Sequence, residues 1–283
     1  MQSHNTTWTE EIKSENSLWS VNYKEIWHYR DLLLMLVKRN FTNFYKQTIL
    51  GPIWFFIQPI LTTFIYVILF GQVAKLSTDG IPHMPFYLAG ITIWNYFSEC
   101  LSKNSTVFKD NSGVFGKVYF PRLIMPLTIV VSGLMRFAVQ FALFMAVVLY
   151  YAFIEKSIHP NLWILTTPFL MLLMAGFAMG LGMIFSSLTT KYKDLVFLLT
   201  FGIQLFMYAT PVVYTVTSIP EKYKWFVEFN PLTAIFECFR YAYLGSGSFE
   251  PSSLIHSTIV ISILVFIGIL VFNKVEKSFM DTV

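Results

Sequence analysis

PVVYTVTSIPEKYKWFVEFNPLTAIFECFRYAYLGSGSFE, residues 211–250, lies between two long apolar runs and is itself too apolar for an ordinary loop. Two short helices read out of it. Ser218, with Glu221 three residues on, has the form of a capping box opening a helix to about Phe229. Asn230 followed by Pro231 is an N-cap with proline at the first helical position, and Gly245 is a suitable stop. At about 1.5 Å per residue, neither helix crosses a hydrocarbon core roughly 30 Å thick. The second has an apolar face of Leu232, Ile235, Phe236, Phe239 and Tyr243, with Thr233, Glu237 and Arg240 opposite. Short amphipathic helices beside full spans sit at an interface or in a protein-lined cavity. The pair therefore reads as a lid over the mouth of whatever the spans enclose.

Composition says what surrounds this stretch. The 283 residues are 55% hydrophobic and only 13% charged, the balance of an integral membrane protein. The net charge of +4 is small, so its placement carries more than its size. Cys100 and Cys238 are far apart, which argues against a disulfide, and neither has metal-ligand spacing. The first 46 residues are polar and charged, so no cleavable signal peptide is expected.

The chain divides into a flexible N-terminus (1–21), an amphipathic interface helix (22–46) and a six-span transmembrane domain (47–283). The interface helix has Asn22 and Glu25 as its cap. Ile26, Tyr29, Leu33, Leu36, Val37, Phe41 and Phe44 fall near one face, and Lys24, His28, Asp31, Lys38, Arg39 and Lys46 on the other. That pattern suits a membrane surface. The spans are expected within Gln47–Ala74, Gly80–Ser98 with a polar continuation, Leu123–Ile154, Ser157–Thr190, Leu195–Val216 and Pro251–Asn273.

Basic residues orient the bundle. Lys13, Lys24, Arg30, Lys38, Arg39 and Lys46 precede span one. Lys103, Lys109, Lys117 and Arg122 follow span two, Lys191 and Lys193 span four, and Lys274 and Lys277 span six. The other side holds only Lys75, Lys156, Lys222, Lys224 and Arg240. Both termini are therefore expected in the cytoplasm, with segment 211–250 outside.

Two ionisable residues fall inside spans, Glu99 and Arg136. A charge at that depth is paired or lines a wet cavity, so the two are expected to meet, as a structural ion pair or as part of a pathway. Gly176, Ala178, Gly180 and Gly182 permit close helix contact, within one subunit or across a dimer. The cytoplasmic segment 108–124 contains the turn Lys109–Gly113, then Phe115, Lys117, Tyr119, Phe120 and Arg122. Aromatics beside basic residues read either as a docking surface for a partner or as a loop touching lipid headgroups. No phosphate-binding loop, zinc motif, serine elbow or carboxylate pair is present. The chain is expected to have no nucleotide, metal or other cofactor site and not to be an enzyme.

In order and spacing these features resemble the membrane subunit of bacterial ABC exporters, the polysaccharide branch that carries O-antigen, capsule and teichoic acid. The resemblance rests on four features. These are the amphipathic helix, the Gly51-Pro52-Ile53-Trp54 and Gln58-Pro59 entry, the Tyr119-Phe120-Pro121-Arg122 link and Asn230-Pro231-Leu232-Thr233 with Arg240. It covers about residues 22–280. It implies a homodimeric permease with two copies of a separate ATPase, which would bind ATP and Mg, and no nucleic-acid partner. It makes segment 108–124 the ATPase coupling region and 211–250 the periplasmic gate. Lipid-linked polysaccharide would leave through a homodimeric channel. Arg39, Lys46 and Arg122 are candidates for meeting the lipid diphosphate. Exit-side candidates are Tyr208, Pro211, Tyr214, Asn230, Pro231, Arg240, Tyr241 and Tyr243. The 18% aromatic content suits sugar stacking, although tyrosine and tryptophan also gather at membrane interfaces. An exporter of drugs or small lipids, and a membrane enzyme acting on a lipid-linked sugar, are the alternatives.

Overall fold

The computed structural model describes residues 23–46, 51–115, 120–192, 194–247 and 249–280, and among these every regular element is helical. The N-terminal stretch forms α1 (Tyr23–His28) and α2 (Arg30–Lys46), which meet at a turn at Tyr29. The expected Asn22 cap lies outside the described residues. α2 buries Leu36 and Val37 and leaves Leu34 and Met35 exposed.

Gly51, at φ +52°, leads into α3 (Trp54–Tyr66), which continues as a π-helix over Val67–Val73. α4 (His83–Asn104) follows, then the short turns α5 (Val107–Asp110) and α6 (Ser112–Phe115). The long α7 (Ile124–Phe153), α8 (Thr167–Lys191) and α9 (Leu195–Tyr208) come next. α10 (Glu221–Phe229), α11 (Pro231–Leu244) and α12 (Pro251–Met280) complete the chain.

Four helical stretches are long and apolar enough to cross a membrane: Trp54–Val73, Ile124–Phe153, Leu162–Lys191 and Pro251–Val275. α4 has the length, at 22 residues, but Asn95, Ser98, Glu99 and Lys103 dilute its hydropathy. It is the central helix: most of its apolar side chains are buried against α7, α8 and α11, while these polar residues are its less buried ones. The expected fifth span, Leu195–Val216, is shorter than read. α9 stops at Tyr208 after 14 residues, and Asn230 Nδ2 donates to the carbonyl of Ala209 and to Thr210 Oγ1, holding the chain in a turn before Pro211.

The small residues of α8 resolve to packing within the chain. Gly180 lies against the Leu264 backbone of α12, and Gly268 returns the contact against Gly180. A side chain at either position would push apart a helix pair packed along much of its length. Cys100 and Cys238 are both free and buried.

Candidate functional site

A groove of about 620 Å³ opens between α3, α4, α7 and α9. On α4, Asn95, Ser98, Glu99, Ser102 and Lys103 recur at helical spacing and line one wall beside Trp94. Arg136 and Gln140 of α7 continue that wall. Phe55, Gln58 and Tyr66 of α3 and Thr200, Gln204 and Tyr208 of α9 face it. The expected Glu99–Arg136 contact is present, inside this groove: Arg136 Nη1 meets Glu99 Oε1. Lys103 Nζ shares the same oxygen at 2.8 Å. Farther along, Asn95 Nδ2 donates to Gln140 Oε1 at 3.3 Å.

The groove is thus polar and aromatic within helices whose outward residues are apolar. Ile60, Leu61, Phe64 and Ile65 of α3, and Phe197, Leu198 and Phe201 of α9, are exposed on the outside. Such a lining offers hydroxyl and amide partners to a hydroxylated ligand, and ring faces for its C–H surface. Looking only for charges within the spans misses Asn95, Ser98, Ser102, Gln140, Thr200 and Gln204. The five-residue polar stripe on α4 was the available signal.

The segment expected to form a lid is built differently from its reading. Ser218 caps nothing: its hydroxyl donates to the Thr215 carbonyl within a short 3-10 turn, and α10 begins at Glu221 after Pro220. The chain is still extended at Ile219, so no box can close. Asn230 does cap α11, its Oδ1 accepting from the Leu232 N–H, and Gly245 ends that helix at φ +78°. α11 has no solvent face: Thr233, Glu237 and Arg240 are buried as fully as Ile235, Phe236 and Phe239. α10 carries the exposed surface instead, through Tyr223, Trp225, Phe226 and Phe229.

Arg240 explains how α11 buries a charge. Its guanidinium donates to the carbonyls of Val212 at 2.6 Å and Tyr214 at 3.2 Å, lies 3.9 Å over the Phe86 ring and pairs with Glu237 at 3.5 Å. Burial pulls its pKa down to about 10 while Glu237 opposes the shift, so it stays protonated at neutral pH. It acts as a clip on the turn 209–216 and is absent from the groove lining. Tyr243 is likewise internal, sharing a hydrogen bond of 2.7 Å with Thr167. Tyr241 stacks near Phe249, and Asn161 Nδ2 donates to its carbonyl. Pro211 is buried and Pro231 partly so. Of the expected exit residues, Tyr208 alone lines the groove, and Tyr214 donates from its hydroxyl to the Tyr208 carbonyl at 3.0 Å. Asp79, in the loop before α4, accepts from Thr217 Oγ1 at 2.7 Å just beyond that turn and from Thr215 Oγ1 at 3.4 Å within it.

The linking segment also turns inward. Phe115 and Phe120, expected on a docking surface or against lipid headgroups, are buried with Leu36, Phe108, Met125 and Phe272. Arg122 is buried too, with its guanidinium 5.3 Å over the Phe115 ring. Their apolar area joins α2, the link and α12 into one small core, which exposure would forfeit. Lys117 and Tyr119 lie outside the described residues. The accessible groups here are Lys109 and Asp110, together with Arg39 and Lys46 on α2.

Residues 31–244 match the family model of the ABC-2 type transporter. The O-antigen export system permease protein RfbA of Klebsiella pneumoniae is 28% identical over 252 residues, covering 89% of this chain and 94% of that protein. RfbA of Myxococcus xanthus is 24% identical over 263 residues, covering 92% and 98% respectively. The polysialic acid transport protein KpsM of Escherichia coli is 22% identical over 236 residues, covering 82% and 89%.

Proposed function

The chain belongs to the ABC-2 type transporter membrane family, and from that premise we propose that it is the permease subunit of an ATP-driven exporter of lipid-linked polysaccharide in the bacterial inner membrane. The observation that carries this reading is the groove. A polar and aromatic track, bounded by helices with apolar outer faces, suits a sugar chain crossing a bilayer. The names of its relatives, O-antigen export permease and polysialic acid transport protein, point to the same class of cargo.

On this reading α3, α4, α7, α8, α9 and α12 cross the membrane, with α9 completed by the turn that Arg240 and Asn230 brace. The basic residues favour cytoplasmic termini and an outward-facing 211–250 segment. A second copy of the chain would close the open side of the groove. α3 and α9, two of the helices that bound the groove, carry exposed apolar residues on which such a copy could pack. A polymer is too long to be enclosed, so the path is a continuous channel. ATP hydrolysis falls to a partner subunit that engages the α5–α6 link and α2. The buried Phe115–Phe120 core would pass its motion to α7 and α12.

Depletion of the protein in its own host tests this proposal. Surface polysaccharide and the lipid-linked polymer inside the cell are followed together. Surface loss with internal accumulation is expected. Loss of both pools would mean an enzyme of synthesis, and no change in either would mean a different cargo.

A further inference from the structure

Two cations and one carboxylate meet at the Lys103 end of the groove. Lys103 and Arg136 both contact one oxygen of Glu99, and among the described residues no other carboxylate lines the cavity. Among the described lining residues cations therefore outnumber carboxylates two to one, and a charge placed among membrane-crossing helices is paired or lines a wet cavity. The excess is accessible: the Lys103 side chain is 47% exposed and Arg136 only 10%. Ser98 and Ser102 flank the cluster on the same wall, the Ser98 hydroxyl donating to the Asn95 carbonyl at 3.3 Å. Arg122, the cation expected to receive an anion from the sequence, is buried under Phe115. Lys103 is the more exposed of the two cations that line the groove.

We propose that the Lys103–Arg136 end of the groove is an oxyanion subsite that takes one phosphoryl or carboxylate group of the transported molecule. Glu99 acts as the resident counter-ion, occupying the cations until a ligand anion competes for Lys103. The oxyanion has two chemical sources, the diphosphate of a lipid carrier or an acidic sugar within the polymer. The proposal rests on the groove being the substrate path.

Full-length protein in lipid nanodiscs is titrated with three fluorescent probes: farnesyl diphosphate, an oligomannuronate and a neutral mannan oligosaccharide of equal length. Lys103→Gln should weaken anionic binding by about threefold to tenfold, leave neutral binding unchanged and be rescued by Lys103→Arg. Glu99→Gln should do the reverse and tighten anionic binding, an effect that damage to the fold would not produce. Loss confined to farnesyl diphosphate identifies the lipid carrier as the source, and loss confined to oligomannuronate identifies the polymer. Anionic binding unaltered by Lys103→Gln, or no anionic binding at all, overturns the subsite. The groove itself is judged separately, by whether Gln204→Leu weakens binding of the neutral oligosaccharide.

Discussion

Arg240 Nη2 donates to the carbonyl oxygen of Val212 at 2.6 Å, and this bond holds a non-helical turn against the centre of the bundle. Gly90 of α4 makes the approach possible, because a Cβ there would strike the Val212 oxygen and come within 3.2 Å of Arg240. The closing turn of the lid segment is therefore set by a residue on a helix more than a hundred positions earlier.

Replacing Arg240 with methionine takes the guanidinium away from the buried Glu237 carboxylate and from two carbonyl oxygens. The expected cost is about 3–5 kcal/mol, read as a lower unfolding temperature in detergent. The double variant Arg240→Met with Glu237→Met should recover part of that loss. Gly90→Ala should destabilise by about 1–3 kcal/mol through overpacking, with increased proteolysis between residues 209 and 220.

The Glu99 cluster is asymmetric, and single substitutions should show it. Arg136→Gln leaves Glu99 with Lys103 at 2.8 Å. Glu99→Gln leaves the more deeply buried Arg136 without its carboxylate. Glu99→Gln should therefore be the more damaging to stability, by about 1–3 kcal/mol. The Glu99→Gln with Arg136→Gln double variant should be milder than Glu99→Gln alone. Melting curves of the three proteins decide it, and equal singles and double would remove the coupling.

Gly180→Leu should force α8 and α12 apart where Gly180 meets the Leu264 backbone at 3.0 Å. The expected outcome is poor accumulation of folded protein. Gly180→Ala should be milder, at about 1–3 kcal/mol. Size-exclusion chromatography of Gly180→Ala should show an unchanged oligomeric state, since the contact lies within one chain.

The link should divide into two classes of variant. Lys109→Glu and Asp110→Arg alter exposed groups and should reduce co-purification of a co-expressed ATPase subunit while the melting temperature holds. Phe115→Ala opens a cavity in a buried cluster and should cost about 3–5 kcal/mol. An ATPase that still binds the exposed-residue variants would move the docking surface elsewhere on the chain.

Much of the molecule was legible along the chain because its signals are local. Long apolar runs mark α3, α7, α8 and α12. Asn230–Pro231 and Gly245 mark both ends of α11, since capping needs only neighbouring backbone groups. Glu99 and Arg136 advertised their contact because a charge among apolar residues must find a partner. Burial was not legible. The spacing of Thr233, Glu237 and Arg240 describes a polar face, yet the carbonyls of Val212 and Tyr214, brought in from another segment, make that face internal. Phe115, Phe120 and Arg122 resemble surface chemistry in a short window, and only Leu36 and Phe272 from distant helices bury them. The groove shows the same division. Its polar residues are scattered over four helices, and no periodicity within one helix says which faces another across water. The sequence by itself determined the membrane class, the main helices and the paired charges, because hydropathy, caps and charge cost act locally. The tertiary structure decided which polar groups line the path and which are sealed away, because that choice depends on partners remote along the chain.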